Sequence, residues 1–232
     1  MNGGWHDQGF ATHFAERRRQ LLPLIDLQED VIRRLLDGYG REIGSFLDLG
    51  AGAGAMSELV FASQPGAEGV LVDFSEHMLA RARLELSRWA GRWRLAHADL
   101  SAASWRAAVP GARYDAVVSG LAVHHLSSQR KRELFHELFA LLDDGGILIL
   151  MDYVAVVGPL RRSFDKLMHA NAVRAERDCG GTRTGAEIDL DDGEDKPDPL
   201  EDQLRWLRAA GFEQVEVHFK WAEAAIFGGV RA

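Results

Sequence analysis

Cysteine is nearly absent from this 232-residue chain. Cys179 stands alone, which excludes an intrachain disulfide and a cysteine-built zinc site. A reducing, cytoplasmic setting fits that scarcity. Nothing approaches the ~18 apolar residues of a membrane span. The opening MNGGWHDQGFATHFAERRRQ has no apolar run behind its charges, so it does not read as a secretory leader. Positive charge is in deficit, with 27 Lys and Arg against 35 Asp and Glu and a net charge of −8. Neutralising phosphates needs a basic stripe, so a nucleic-acid partner is not expected. What remains is an ordinary globular mixture, 47% apolar and 27% charged, long enough to bury the core of one α/β domain.

Short apolar segments recur along the chain: SFLDLG (45–50), GVLVDF (69–74), RLAHAD (94–99), YDAVVSG (114–120) and GGILILMDY (145–153). Residues 53–63, 75–89 and 128–142 carry helical spacing between them. Strands alternating with helices predict βαβ units and a mostly parallel sheet. Near-continuous apolar strands predict cover on both faces. Two N-terminal helices are expected over 10–22 and 27–37, separated by Pro23. Residues 160–178 read as a helix, and 179–199 as a polar, acidic segment: either a solvated loop or a lid. Asp189, Asp191, Asp192, Glu194 and Asp195 resemble a calcium loop only loosely, without its terminal glutamate, so no metal is assigned. A helix over 200–210 and runs at 213–220 and 222–230 follow. The two runs are too close for a crossover and must form an antiparallel hairpin.

Chemistry concentrates where the first strand meets its helix, in Asp48-Leu49-Gly50-Ala51-Gly52-Ala53-Gly54. Glycines allow a sharp turn and the close approach of a ligand, and the helix start behind them offers free N–H groups. This suits an adenosine-bearing ligand at the switch point of a doubly wound sheet. Asp73, 23 residues after Gly50, ends the next strand, where a carboxylate can accept both ribose hydroxyls. Asp99, followed by Leu100, ends the third, at the adenine edge. The alternative for each aspartate is a helix start, since Ser75 and Ser101 follow.

In order and spacing these elements resemble the class I S-adenosylmethionine (SAM)-dependent methyltransferases. FLDLGAGAG (46–54) is similar to their first motif and VLVDFSEHML (70–79) to their second. HADL (97–100), YDAVVSGLAVHHL (114–126) and LLDDGGILILMD (141–152) match the later ones. Residues 202–229 and RRRQLLP (17–23) resemble the small-molecule, type 11/12-like branch. The resemblance implies a Rossmann-like α/β fold: a seven-stranded, mostly parallel sheet with a C-terminal antiparallel hairpin and helices on both faces. It implies one domain over 1–232, with 1–40 as a helical cover and 158–199 as an insertion over the acceptor site. Gly50, Gly52 and Gly54 would frame the methionine part and ribose of SAM, and Asp48 would orient the amino group or a water beside it. Asp73 would bind the ribose diol. Phe74 and Met78 would pack near adenine, with Asp99 and Leu100 at its edge. Ser119, Gly120 and Leu121 would line the methionine end. The loop departs from the family in reading Gly-Ala-Gly, which removes a hydroxyl, and Phe14 stands where a tyrosine is usual.

Methyl transfer asks the protein for alignment and exclusion of water. A base is needed only where the nucleophile must first lose a proton. His124 and His125, just after the fourth strand, are the catalytic candidates, with packing or helix capping as the alternative for either. His6 and His13 are weaker candidates. Arg18 and Arg19 are candidates to pair with the cofactor carboxylate or an acidic substrate, against a solvated helix face. Trp5, Phe10, Phe14 and Trp221 can wall an acceptor pocket or pack in a core. The leading expectation is transfer of methyl from SAM to O or N of a small molecule, releasing S-adenosylhomocysteine, by a monomer or homodimer off the membrane. A non-methylating user of the fold (a SAM-derivative synthase or pericyclase) and a catalytically silent SAM-binding module are the alternatives.

Overall fold

Phe46 and Leu47 adjoin in the chain yet belong to two different hydrophobic cores. Successive strand residues point to opposite faces, and here both faces are packed. The computed structural model describes residues 22–110, 113–159, 161–178 and 195–232. Strands β1 (Ser45–Leu49), β2 (Glu68–Asp73), β3 (Trp93–His97), β4 (Tyr114–Gly120), β5 (Leu142–Tyr153), β6 (Glu213–Trp221) and β7 (Ala224–Val230) form one sheet of order β3-β2-β1-β4-β5-β7-β6. The first five pair in parallel. β7 runs antiparallel between β5 and β6. The expected seven-stranded, mostly parallel sheet with a closing hairpin is therefore what forms.

Helices α1 (Ile25–Gly38), α2 (Ala55–Ser63) and α3 (Glu76–Glu85) cover one face, where Ile32, Leu36, Leu59, Val60 and Ala82 meet Phe46, Leu71, Val118 and Ile149. Helices α4 (Ser128–Leu141) and α6 (Leu200–Ala210) cover the other, where Leu134, Leu138 and Leu207 meet Leu47, Val117 and Leu148. Helix α5 (Arg161–Asp178) follows β5. Ser75 and Ser127 cap α3 and α4, each hydroxyl accepting an amide of the first turn. Gly211, at φ 108°, ends α6 in the left-handed conformation.

Boundaries shift for local reasons. The helix expected from 53 starts at Ala55, because Gly54 sits at φ 89°. The one expected to reach 89 stops at Glu85 and continues as a 3-10 turn, Ser87–Trp89. β3 ends at His97, and the Asp99 carboxylate accepts the Ser101 amide and hydroxyl in a tight turn. Residues 1–21, with Trp5, His6, Phe10, His13, Phe14, Arg18 and Arg19, lie outside the described residues, as do Leu160 and 179–194. Among the described residues, no helix is long and apolar enough to cross a membrane.

Candidate active site

Strand order reverses between β1 and β4, the switch point at which open α/β sheets bind ligands beyond their strands' carboxyl ends. The β1 loop passes through positive φ at Gly50 (61°), Gly52 (54°) and Gly54 (89°). At Gly50 the constraint is also steric: a Cβ there would lie 2.2 Å from the Ala122 Cβ. The loops after β1 and β4 therefore touch at Gly50 and Ala122, and only glycine permits it.

Beneath the loop, Asp48 is fully buried. Its Oδ2 accepts the Ser57 amide at 3.0 Å and the Ser57 hydroxyl at 2.6 Å. Its Oδ1 is buried with no hydrogen-bond partner among the described residues. Burial, helped by the nearby Asp73 charge, outweighs the Ser57 bonds and pushes the Asp48 carboxyl up to about 7. Asp73, at the end of β2, accepts the Gly52 amide on Oδ2 and the Ser75 amide on Oδ1, both at 2.8 Å. Burial raises its pKa against those two amides. The buried Met78 places its Cε 3.4 Å from where a Gly52 Cβ would sit.

The remaining sequence-selected residues divide. Phe74 is half-buried at the β2 end, and its carbonyl lies 2.7 Å from His97 Nε2. Asp99 is exposed in its own turn. Leu100 is buried in the α4-side core, and its carbonyl accepts Arg130 Nε at 2.7 Å. Ser119 donates its hydroxyl to the Leu49 carbonyl at 2.7 Å, tying β4 to β1. A Cβ on Gly120 would strike Met56 at 2.8 Å. Leu121 adopts φ 57° and donates its amide to Met151. That conformation is costly for a branched side chain and sits at the β4 exit.

From Leu121 the chain enters a 3-10 turn, Val123–His125. His124 is buried and gives Nδ1–H to the Oδ1 of Asp152, itself buried at the end of β5. Its Nε2 lies 3.3 Å from Asp195 Oδ1, and His125 Nδ1 lies 3.0 Å from that same oxygen. Burial alone would lower the His124 pKa, but Asp152 and Asp195 push it up to about 9. Burial would raise Asp195, but the two histidines hold it well below the usual carboxylate range. Both carboxylates therefore favour the protonated imidazole of His124.

Asp195 is held by the residues behind it. The Lys196 amide donates to the His124 carbonyl at 2.8 Å. The fully buried Lys131 bonds Asp198 Oδ2 at 2.7 Å and also the Lys196 carbonyl. Ser128 Oγ donates to Asp198 Oδ1 at 2.7 Å. Sequence reasoning passed over Asp152, Lys131 and the pairing of Asp195. Asp152 had a signal: like Asp73, it is an acid closing an apolar strand. Asp195 had none, because its partners lie 70 residues away.

Residues 47–148 match the family model described as "Methyltransferase domain". No curated protein matches the sequence. Among solved structures, an O-methyltransferase family protein from Burkholderia thailandensis superposes with a TM-score of 0.70 at 18% identity, covering 98% of this chain and 61% of that one. This chain thus spans about three fifths of that protein's length. A putative S-adenosyl-L-methionine-dependent methyltransferase from Methanococcus maripaludis gives a TM-score of 0.66 at 19% identity, covering 100% of this chain and 96% of that one. Human N-acetylserotonin methyltransferase in complex with SAM gives 0.62 at 16%, covering 97% and 57%. Residues 47–148 match the methyltransferase-domain model, and the chain as a whole shares the fold of these solved methyltransferases.

Proposed function

We propose that this protein binds SAM at the β1–β4 switch point and transfers its methyl group to an oxygen or nitrogen of a small-molecule acceptor. The observation that carries the reading is the buried, unpartnered Asp48 Oδ1 beneath a glycine turn pinned by Asp73. An orphaned acceptor in a dry site is costly unless a donor arrives, and an ammonium group would supply one. The residues present therefore fit an amino-acid-bearing, ribosylated ligand. When bound, SAM supplies a methyl group already activated by its sulfonium.

Everything else falls to the chain. Asp48 accepts the amino group. Asp73 keeps the loop in shape through Gly52 and has lone pairs left for hydroxyls, since each carboxylate oxygen can accept twice. Met78 lines the space beside Gly52. The approach of Ala122, which precedes the Val123–His125 turn, to Gly50 of the glycine loop supports a role for the histidines at the reacting end of the ligand. His124 holds Asp195 in place beside the acceptor. His125, on the more exposed side of the pair, takes a proton where the acceptor must lose one. The cover expected of residues 1–40 and 158–199 falls in part outside the described residues.

Calorimetry with SAM, S-adenosylhomocysteine and NADH tests the binding. The expected result is binding of the first two only. NADH binding without SAM binding would overturn the reading. Release of S-adenosylhomocysteine with a panel of small hydroxylated and amine acceptors tests the transfer.

A further inference from the structure

We propose that His124 Nε2, His125 Nδ1 and an Asp195 carboxylate oxygen bind one divalent transition-metal ion. These three donor atoms lie within 4.8 Å of one another. Two of the three separations, 3.3 Å and 3.0 Å, already suit a shared ion. Donors about 2.0–2.2 Å from a metal sit roughly 3–3.5 Å apart at tetrahedral or octahedral angles. The third, between the two imidazole nitrogens, is within 4.8 Å.

The support around the donors is that of a built site. A histidine ligand typically gives its other nitrogen's proton to a carboxylate, which fixes the tautomer and aims the lone pair. His124 does so with the buried Asp152, whose Oδ1 is further fixed by the Tyr153 amide at 3.0 Å. Asp195 cannot drift, because Lys196 and Asp198 behind it are bonded to His124 and Lys131. Charge favours a cation as well. The ion takes the place of the proton between His124 Nε2 and Asp195, which is released to water, and the Asp195 charge reaches as far as Glu223. Two imidazoles and one carboxylate suit zinc, cobalt or nickel better than the all-oxygen shells of magnesium or calcium. Three protein donors leave positions for water or an acceptor heteroatom, where a metal acts as a Lewis acid. The proposal stands apart from SAM binding, since neither side's residues serve the other.

The test is titration of the chelator-treated full chain with Co2+, followed by absorbance, and with Zn2+, followed by calorimetry. One equivalent binding with micromolar or tighter Kd, and visible cobalt bands of four- or five-fold coordination, are expected. His125→Ala and Asp195→Ala, both away from the core, should each weaken binding at least tenfold. Asp152→Asn should weaken it about 10- to 100-fold as a supporting partner. His218→Ala, on β6, should leave it unchanged. No cobalt band with a folded wild-type chain, or unaltered affinity in both His125→Ala and Asp195→Ala, would show that the cluster is an ion-paired network only. Neither outcome touches the SAM calorimetry.

Discussion

The Asp73 carboxylate receives the Gly52 amide across 2.8 Å, so the end of β2 holds the turn that leaves β1. Ala51 reinforces the link by donating its amide to the Val72 carbonyl at 2.9 Å. Asp73 is thus a builder of the ligand loop as well as a candidate ligand contact. Asp73→Ala leaves two amides unmatched and should cost about 1–3 kcal/mol of stability. Asp73→Asn keeps one acceptor and should fold better, yet still lose tenfold or more in SAM affinity. Thermal unfolding read beside calorimetry separates the two effects. Unchanged SAM affinity in folded Asp73→Asn would remove Asp73 from the ligand contacts.

Gly52→Ala tests the turn itself. A side chain at φ 54° costs about 1–2 kcal/mol, and its Cβ would touch the Met78 Cε at 3.4 Å. Gly91→Ala is the matched control, with φ 88° and nothing within 4 Å of the new Cβ. Both variants should lose similar stability in chemical denaturation. Only Gly52→Ala should lose SAM binding.

Asp48 makes the apo protein pH-sensitive. Its folded pKa of about 7 lies above the ordinary carboxylate value, so the fold binds a proton that the unfolded chain has released. Its stabilising contribution is complete below about pH 4 and is lost as pH rises through about 7. Asp48→Asn should flatten that part of the stability curve, read by denaturant midpoints from pH 4 to 8. Ligand affinity should run the other way. An ammonium at Oδ1 favours the carboxylate, so SAM should bind more tightly as pH rises through 7, and Asp48→Asn should abolish that rise.

The fully buried Lys131 pairs with the part-buried Asp198 and so seats residues 195–199 beside the histidines. Breaking such a pair strands a charge, at a cost of roughly 3–5 kcal/mol. Lys131→Met should show that loss and faster hydrogen exchange at 195–199. The double variant Lys131→Met/Asp198→Asn should lose less than the two single variants combined, because neither charge is then stranded. Strict additivity would mean that the pair is not coupled.

The sheet was legible from the sequence because its signals are local. An apolar run such as GVLVDF needs both faces covered, and a glycine or serine beside it ends the strand or starts the helix. The strand ends were less legible. Asp99 was read as the last residue of β3, but its carboxylate turns the chain toward Ser101 two residues beyond the strand. The bond from the Ser119 hydroxyl to the Leu49 carbonyl, a partner 70 residues away, was not legible either.

Local order along the chain therefore determined the fold and the glycine turn with its acids, since backbone conformation and burial follow from neighbours and from periodicity. Only the tertiary structure decided what the histidine pair is. Its character depends on Asp152, brought alongside by parallel pairing of β4 and β5, and on Asp195, brought back from the acidic segment and seated by Lys131. Electrostatics acts through distance in space, and a buried imidazole takes its charge from whichever carboxylates the fold places against it.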